Sequence, residues 1–438
     1  MTSAESAEVV HASSPRETRK VTIAGAIGFF VENYDNSVYG FLAGIIAIVF
    51  FPEGAEGAAL LFTFGIFAVS FVFRPVGGVL LGIMSDRVGR RPAMVLALTL
   101  MAGATTAIGL LPGYASWGVG SVLILLLLRL IQGVSVGGEV SAAMSFVGEH
   151  APPRKRAFLM SFPQAGSTLA NLAGSGSAFL LTSLLSAEAM ESWGWRIPFL
   201  IAAPLGIIGF YIRQKLEDTP AFTAMQEEGR IARNPLRDAF ARENRRRLVL
   251  AFTLPMLNSA GFFVIFVFMP TYLTSQLHFT RPAGLLVAAV ALACATVCIP
   301  LFARISDRVG RRPVMITSCM AIIALSVPAY LLLNAGSEAL AIVSGAVLGI
   351  AFAGNYSVMH PMMLELFPSR VRTTAYALGY NVTTAVLGGA APLILTALYG
   401  STGNLLLPAF FVMLSAVGTA IAAFKNEETK GRSLTDFV

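Results

Sequence analysis

The chain has 438 residues, 55% hydrophobic and 13% charged, with a mean hydropathy of +0.72 and a formal net charge of +7. Soluble domains carry about 25% charged residues, so no soluble core absorbs this much apolar surface and the bilayer must be the solvent. The basic excess lies in short loops beside apolar spans, which signals membrane orientation and argues against a nucleic-acid partner.

The first 20 residues are polar, include Pro15 and lack the apolar region of a cleavable signal, so the first span is expected to insert the chain. Apolar stretches of about 20 residues cross the hydrocarbon as helices. They are predicted at 21–50, 57–84, 93–112, 118–147, 157–186 and 195–213, then at 247–275, 282–304, 314–334, 338–362, 373–399 and 403–424. Alternate loops, beginning with 51–56 and 113–117, hold one basic residue, Arg281, while the other loops and both termini hold most of the rest. Both termini are therefore predicted cytoplasmic, in a multi-pass plasma-membrane protein. The predicted domains are a tail 1–20, a six-helix bundle 21–213, a cytoplasmic linker 214–246, a second bundle 247–424 and a tail 425–438. Within the linker, PLRDAFARENRRR reads either as a basic amphipathic helix on the inner membrane surface or as a solvated tether. Cys294, Cys298 and Cys319 all fall inside spans and read as packing residues, not as a disulfide framework.

The octamer SDRVGRRP occurs twice, at Ser85–Pro92 and Ser306–Pro313, half a chain length apart. Each copy joins two spans at the same place in its half, which marks an internal duplication. With Gly82, the first copy resembles motif A of the major facilitator superfamily, G-x-x-x-D-R-x-G-R-R; the second has Ala303 at the glycine position. The resemblance implies twelve helices in two pseudo-symmetric six-helix bundles. It also implies a cytoplasmic latch formed by Gly82, Asp86, Arg87, Gly89 and Arg90 with Asp307, Arg308 and Arg311. Further segments resemble the metabolite:proton symporters, whose members carry 2-oxoglutarate, citrate, shikimate, or proline and betaine. They are VENYDNSVYGF at 31–41, FRPVGG at 73–78, RLIQGVSVGGE at 129–139, GWRIPF at 194–199, LEDTPAF at 216–222 and ELFPSRVR at 365–372. The first span departs from that family's usual pattern, with Phe29, Asn33 and Asn36 in place of asparagine, tryptophan and phenylalanine.

Ionisable groups inside a membrane are costly and therefore point to function. Glu32, Asp35, Asn36 and Tyr39 recur at helical spacing and form one polar stripe, which is expected to face a central cavity. Asp35 is the expected proton carrier and Glu32 its partner, because two carboxylates one turn apart repel and favour protonation. The alternative is that both are permanently paired with Arg74 or Arg129. Arg74 reads as a substrate contact or an internal ion pair. Arg129 begins a segment resembling motif B, which implies a part in proton transfer. Glu139 is assigned to the inner gate and Arg196 to structure.

The spans of the second half carry no central charge. Asn258, Asn355, Tyr356, Tyr380 and Asn381 are expected to close over the substrate, with interhelical hydrogen bonding as the alternative. Gln132, Gln164 and Tyr39 are also expected at the cavity, and His360 and Tyr376 are further polar groups of this half. No P-loop supports ATP-driven transport, and no nucleophile–base constellation or metal cluster suggests an enzyme. The expected function is therefore proton-coupled import of a small organic acid, probed by two buried arginines, with protons as coupling ion and no cofactor. The alternative is a zwitterionic osmolyte such as proline or betaine, its cationic nitrogen met by Glu32, Asp35, Phe29, Phe30 and Tyr34. The tail after the last span shows no heptad pattern, which weakens an osmosensing role. The resemblance implies a monomer.

Overall fold

The computed structural model describes residues 15–52, 56–229 and 233–434; the ends of both predicted tails and the linker residues 230–232 lie outside them. Among the described residues the chain is all helix, and ten helices are long and apolar enough to cross a membrane. The first bundle comprises α1 (Pro15–Phe41, continuing past Leu42 as Ala43–Phe50), α2 (Glu56–Val88), α3 (Arg90–Leu110), α4 (Val119–His150), α5 (Arg156–Leu184) and α6 (Arg196–Gln214). The second comprises α7 (Arg242–Ser275), α8 (Arg281–Val309), α9 (Arg311–Leu333), α10 (Glu338–Leu364), α11 (Arg372–Thr402) and α12 (Leu407–Lys425). The two helices outside the ten are α1 and α5, which carry the polar residues from Glu32 to Ser37 and from Ser161 to Ser177. A polar helix is tolerated in a bilayer only where it faces protein or a cavity.

Small residues set the close packing inside the first bundle. A methyl group on Gly77 would stand 1.9 Å from the Val134 carbonyl oxygen, and one on Gly137 would stand 2.0 Å from that of Arg74. Backbone therefore meets backbone between α2 and α4, which brings Arg74 against the α4 face. Between the halves, α2 crosses α11 and α5 crosses α8, where the hydroxyls of Thr168 and Thr296 lie 2.6 Å apart. Both α7 and α11 widen into a π-type turn at mid-length, Phe263–Phe268 and Thr384–Gly389. Such turns cluster at functional sites because they re-aim the side chains on either side.

The linker departs from a continuous amphipathic helix. Asn234 caps a single turn, Pro235–Ala239; the chain then bends at Phe240–Ala241 and restarts at Arg242 as the entry to α7. The Asn244 amide donates to the Asp238 carbonyl at 2.9 Å and fixes that bend.

Candidate functional site

The two octamers build matching junctions. Gly89 and Gly310 have φ of +130° and +118°, a region that side chains disfavour, and each releases its chain into the N-terminus of the next helix. Each Asp of the octamer then reaches across to the opposite half. Asp86 accepts from the Thr373 and Thr374 amides at 3.3 and 2.9 Å and from the Thr374 hydroxyl at 2.7 Å, at the start of α11. Asp307 accepts from the Ala157 and Phe158 amides at 3.2 and 2.9 Å, at the start of α5. A carboxylate at a helix N-terminus satisfies free amides and complements the dipole. Gly82 makes the first crossing possible, since a methyl group there would sit 2.9 Å from the Thr374 backbone.

Arginine–glutamate pairs complete this latch. Arg90 contacts Asp86 and Glu149 at 3.4 Å and donates to the Ser369 carbonyl; Arg372 donates to Glu149 at 2.8 Å. In the other half Arg311 binds Asp307 at 2.7 Å, and Arg156 binds Glu365 at 2.8 Å. Glu149, Arg372, Arg156 and Glu365 were missed in the sequence. Their signal was present, because the spacing Glu149…Arg156 recurs as Glu365…Arg372. Two predicted latch residues do not join these pairs: Arg87 and Arg308 are exposed and make no ion pair among the described residues. Glu139 is not in the gate either. It lies within the first bundle, bound by Arg213 of α6 at 2.5 Å.

At the centre of the first bundle, Asp35 is fully engaged. Arg129 donates to it at 3.0 Å and Gln132 at 3.0 Å, while Arg129 also donates to Gln132 at 2.8 Å and Gln132 to Thr105 at 2.8 Å. The Arg129 guanidinium lies 3.6 Å over the Tyr39 ring, and the Tyr39 hydroxyl donates to the Thr63 carbonyl. Gln132 thus spends its amide on the Asp35–Arg129 pair and Thr105, and Tyr39 gives its ring to Arg129 and its hydroxyl to Thr63, so both turn away from the substrate role expected of them. Glu32 and Arg74 differ. Both are buried, yet among the described residues no ion-pair contact joins either to a partner, and one Glu32 oxygen and the Arg74 Nε have no hydrogen-bond partner. The Arg74 guanidinium lies 4.0 Å over Phe71. Asp35 is therefore held by Arg129 and not by Arg74. Tyr34 is buried and stacks on Phe30, with ring centroids 6.1 Å apart.

Across the interface the second bundle presents aromatic faces. Phe262 stacks on Tyr356 at 6.0 Å, and His360 lies between Tyr356, Tyr376 and Tyr380 with Phe29 of α1 at its edge, 6.3 Å away. Tyr356 donates weakly to Ser167 of α5 at 3.4 Å, so this aromatic wall faces the polar helix of the first half. Around it, both amide atoms of Gln164, the Asn258 Nδ2 and the His360 Nε2 are buried without partners. Unpaired buried polar atoms are costly unless a ligand or water completes them. Two predicted contacts turn elsewhere. Asn381 donates to the Gly137 carbonyl at 2.6 Å and to that of Ala377, stitching α11 to α4. Asn355 points at α9, its backbone amide bonded to Ser318 and its side chain to the Met315 sulfur. Arg196 donates to the Gly109 and Leu111 carbonyls, consistent with a structural part.

The sequence pattern of the Major Facilitator Superfamily matches residues 25–392 and, in a second overlapping match, 251–436. The chain is 33% identical to a proline/betaine transporter of Salmonella typhimurium over 95% of its own length and 85% of that protein's. It is 32% identical to a citrate-proton symporter of Klebsiella pneumoniae, covering 93% of this chain and 94% of the other. A double-tryptophan variant of XylE superposes with a TM-score of 0.82 at 17% identity, covering 96% of this chain and 98% of that one, a likeness of fold. Duplicated latch, paired six-helix bundles and family match agree: the chain belongs to the major facilitator superfamily and is a multi-pass membrane transporter.

Proposed function

We propose that the protein is a proton symporter that imports a zwitterionic osmolyte of the proline/betaine class by alternating access. The observation that carries this reading is the unpaired couple of Glu32 and Arg74 opposite the Phe262–Tyr356 wall. A carboxylate fits the fork of Arg74. A cationic nitrogen fits the aromatic faces, with Glu32 to balance its charge. The name of the Salmonella relative, a proline/betaine transporter, supports the same class. The organic-acid reading, suggested by the citrate relative, is weaker on physical grounds. It counted two arginines, but Arg129 is already neutralised by Asp35, and a polyanion at Arg74 would also meet Glu32.

In this reading Asp35 takes the coupling proton. Protonation removes the charge that holds Arg129 and Gln132, so proton and substrate together change the relative stability of the two states, as coupling requires. Release of the Asp86 and Asp307 caps then opens the latch face. We place that face, both termini and the linker in the cytoplasm, and propose a monomer in the plasma membrane with the proton as coupling ion.

The test is uptake by proteoliposomes under an imposed proton gradient, with labelled betaine, proline and citrate. Accumulation of betaine or proline is expected. Citrate accumulation alone would return the assignment to organic acids, and uptake indifferent to the gradient would leave a facilitator.

A further inference from the structure

We propose that Glu139, paired with Arg213, is the last proton-carrying group of the transporter, so that the coupling proton leaves through the first bundle on a route that parts from the substrate's at Glu32. The inference rests on the proton-symport reading above. Along α1, Asp35, Glu32 and Gly28 lie one turn apart on one face; along α4, Arg129, Gln132, Ser135 and Glu139 descend beside them. Three carboxylates thus run toward the latch face, each near an arginine from a different helix: Arg129 of α4, Arg74 of α2 and Arg213 of α6. Glu32 and Glu139 line one crevice together with Gly28, Leu98, Met101, Ser135 and Val136. Glu32, one of whose carboxylate oxygens lacks a hydrogen-bond partner, is thus part of the crevice wall.

The Glu139–Arg213 pair ties α6 to α4 and α3, a task that apolar packing could also perform. Arg213 binds both oxygens of Glu139, at 2.5 and 3.1 Å, and donates to the Met94 carbonyl at 2.8 Å. All three residues belong to the first bundle, so the pair does not help the halves close. Burying an ion pair costs more desolvation than well-packed apolar residues of the same volume. The chain also keeps Gly28 bare for it: a methyl group there would come 1.6 Å from the Arg213 Nη2 and 2.6 Å from the Glu139 Oε1. The charged and titratable groups facing Glu139 are Glu32 from α1 and Arg213 from α6, while α3 brings Leu98, Met101 and the Met94 carbonyl. Once the substrate has left Glu32, the proton carried by Asp35 passes to the freed Glu32 carboxylate. It then moves from the Glu32 carboxyl to the Glu139 carboxylate, which loosens Arg213, and then to the cytoplasm. The crevice between Glu32 and Glu139 is too narrow for a water molecule, so the transfer from Glu32 to Glu139 waits until the crevice widens.

The experiment compares gradient-driven accumulation of labelled betaine with betaine exchange at equal pH on both sides, in proteoliposomes. Glu139→Gln alone leaves Arg213 buried without a counter-charge, so the informative variant is the double change Glu139→Gln with Arg213→Met. Accumulation is expected to fall at least about tenfold while exchange persists, with Glu139→Asp recovering part of the loss. Gly28→Ala, which displaces the pair without removing a charge, is expected to show the same split. Unchanged accumulation, or accumulation and exchange falling together, would overturn the relay and leave a packing role. A wild type that does not accumulate betaine under the gradient, yet exchanges it, would overturn proton symport itself, and this control is read before any variant.

Discussion

The two halves are near copies at the latch and unlike at the membrane centre. At the latch, Asp86, Arg90, Glu149 and Arg372 are matched by Asp307, Arg311, Glu365 and Arg156, down to the helix N-termini they cap. At the centre, the first half buries Glu32, Asp35, Arg74, Arg129, Glu139 and Arg213, while the second offers Asn258, Tyr356, His360 and Tyr380. Duplication supplied a symmetric junction between the halves. Under the proposed mechanism proton chemistry needs only one set of carboxylates, and a second set would add the cost of burying charge without adding coupling. In that mechanism gating is a property of the pair and coupling of one member.

Breaking the charged half has the largest expected effect. Asp35→Asn leaves Arg129 buried with no counter-charge, and breaking a buried pair from one side costs about 3–5 kcal/mol. Gradient-driven uptake is expected to vanish and the thermal midpoint in detergent to fall. No single polar substitution in the central part of the second half should do as much.

Breaking the symmetric gate should cost less and unequally. Asp86→Asn keeps an acceptor but loses the charge at a fully buried helix start, worth about 1–2 kcal/mol, or roughly tenfold in the balance of states. Asp307→Asn should shift the same balance less, because Asp307 is more exposed and accepts from two amides, while Asp86 accepts from two amides and the Thr374 hydroxyl. Accessibility of a cysteine placed beside Gly82, with the native cysteines removed, would report the opening. Equal shifts would mean that the two copies bear equal load.

The aromatic side gives a milder test. Tyr356→Ala removes one face of the wall and is expected to raise the KM for betaine about tenfold, while Tyr356→Phe keeps the face and should change it little. If Tyr356→Phe weakens uptake as much as Tyr356→Ala, the hydroxyl and not the ring makes the contact.

Hydropathy and loop charge made the twelve spans legible, and the repeated octamer made the latch legible, because both are written in local sequence. Asp35 and Glu32 stood out as well, since a carboxylate in an apolar span must be paired or functional; which of the two holds was not readable, and the structure pairs Asp35 with Arg129. Tyr39, Gln132 and Asn381 turn their polar atoms to other parts of the protein, and one reason hid this from the sequence. Helical spacing tells which residues share a face, but not what that face meets, as with Asn381 and the Gly137 carbonyl. Arg213 escaped notice because an arginine at a span's end reads as reaching for water. Here it turns inward to Glu139. The Asp218 and Glu428 caps lie outside the spans, and only the fold shows that they sit on the octamer helices.

Those two caps give the smallest and most discriminating test of the symmetry. Asp218 accepts from the Arg90 and Arg91 amides at 3.0 and 3.3 Å, and Glu428 accepts from the Arg311 and Arg312 amides, both at 2.9 Å. Each therefore holds the start of the helix that follows its octamer. Burial pushes the Asp218 carboxyl up from its ordinary value of 3.8, against the pull of the Thr219, Arg90 and Arg91 amides and the Arg90 charge. The folded state thus binds this proton more tightly than the unfolded chain. Its contribution to stability is most favourable in acid, and it declines as pH rises through the unfolded value and up to the raised folded one. A neutral replacement that keeps an oxygen should then be nearly free: Asp218→Asn is expected to change the thermal midpoint by the equivalent of a few tenths of a kcal/mol and to flatten this part of its pH dependence. Asp218→Ala, which strips the acceptor from two amides, should cost about 1 kcal/mol. If Asp218→Asn is as damaging as Asp218→Ala, the charge and not the hydrogen bonds holds α3. The linker cap would then work through its field on Arg90, which would tie it to the gate instead of to the helix.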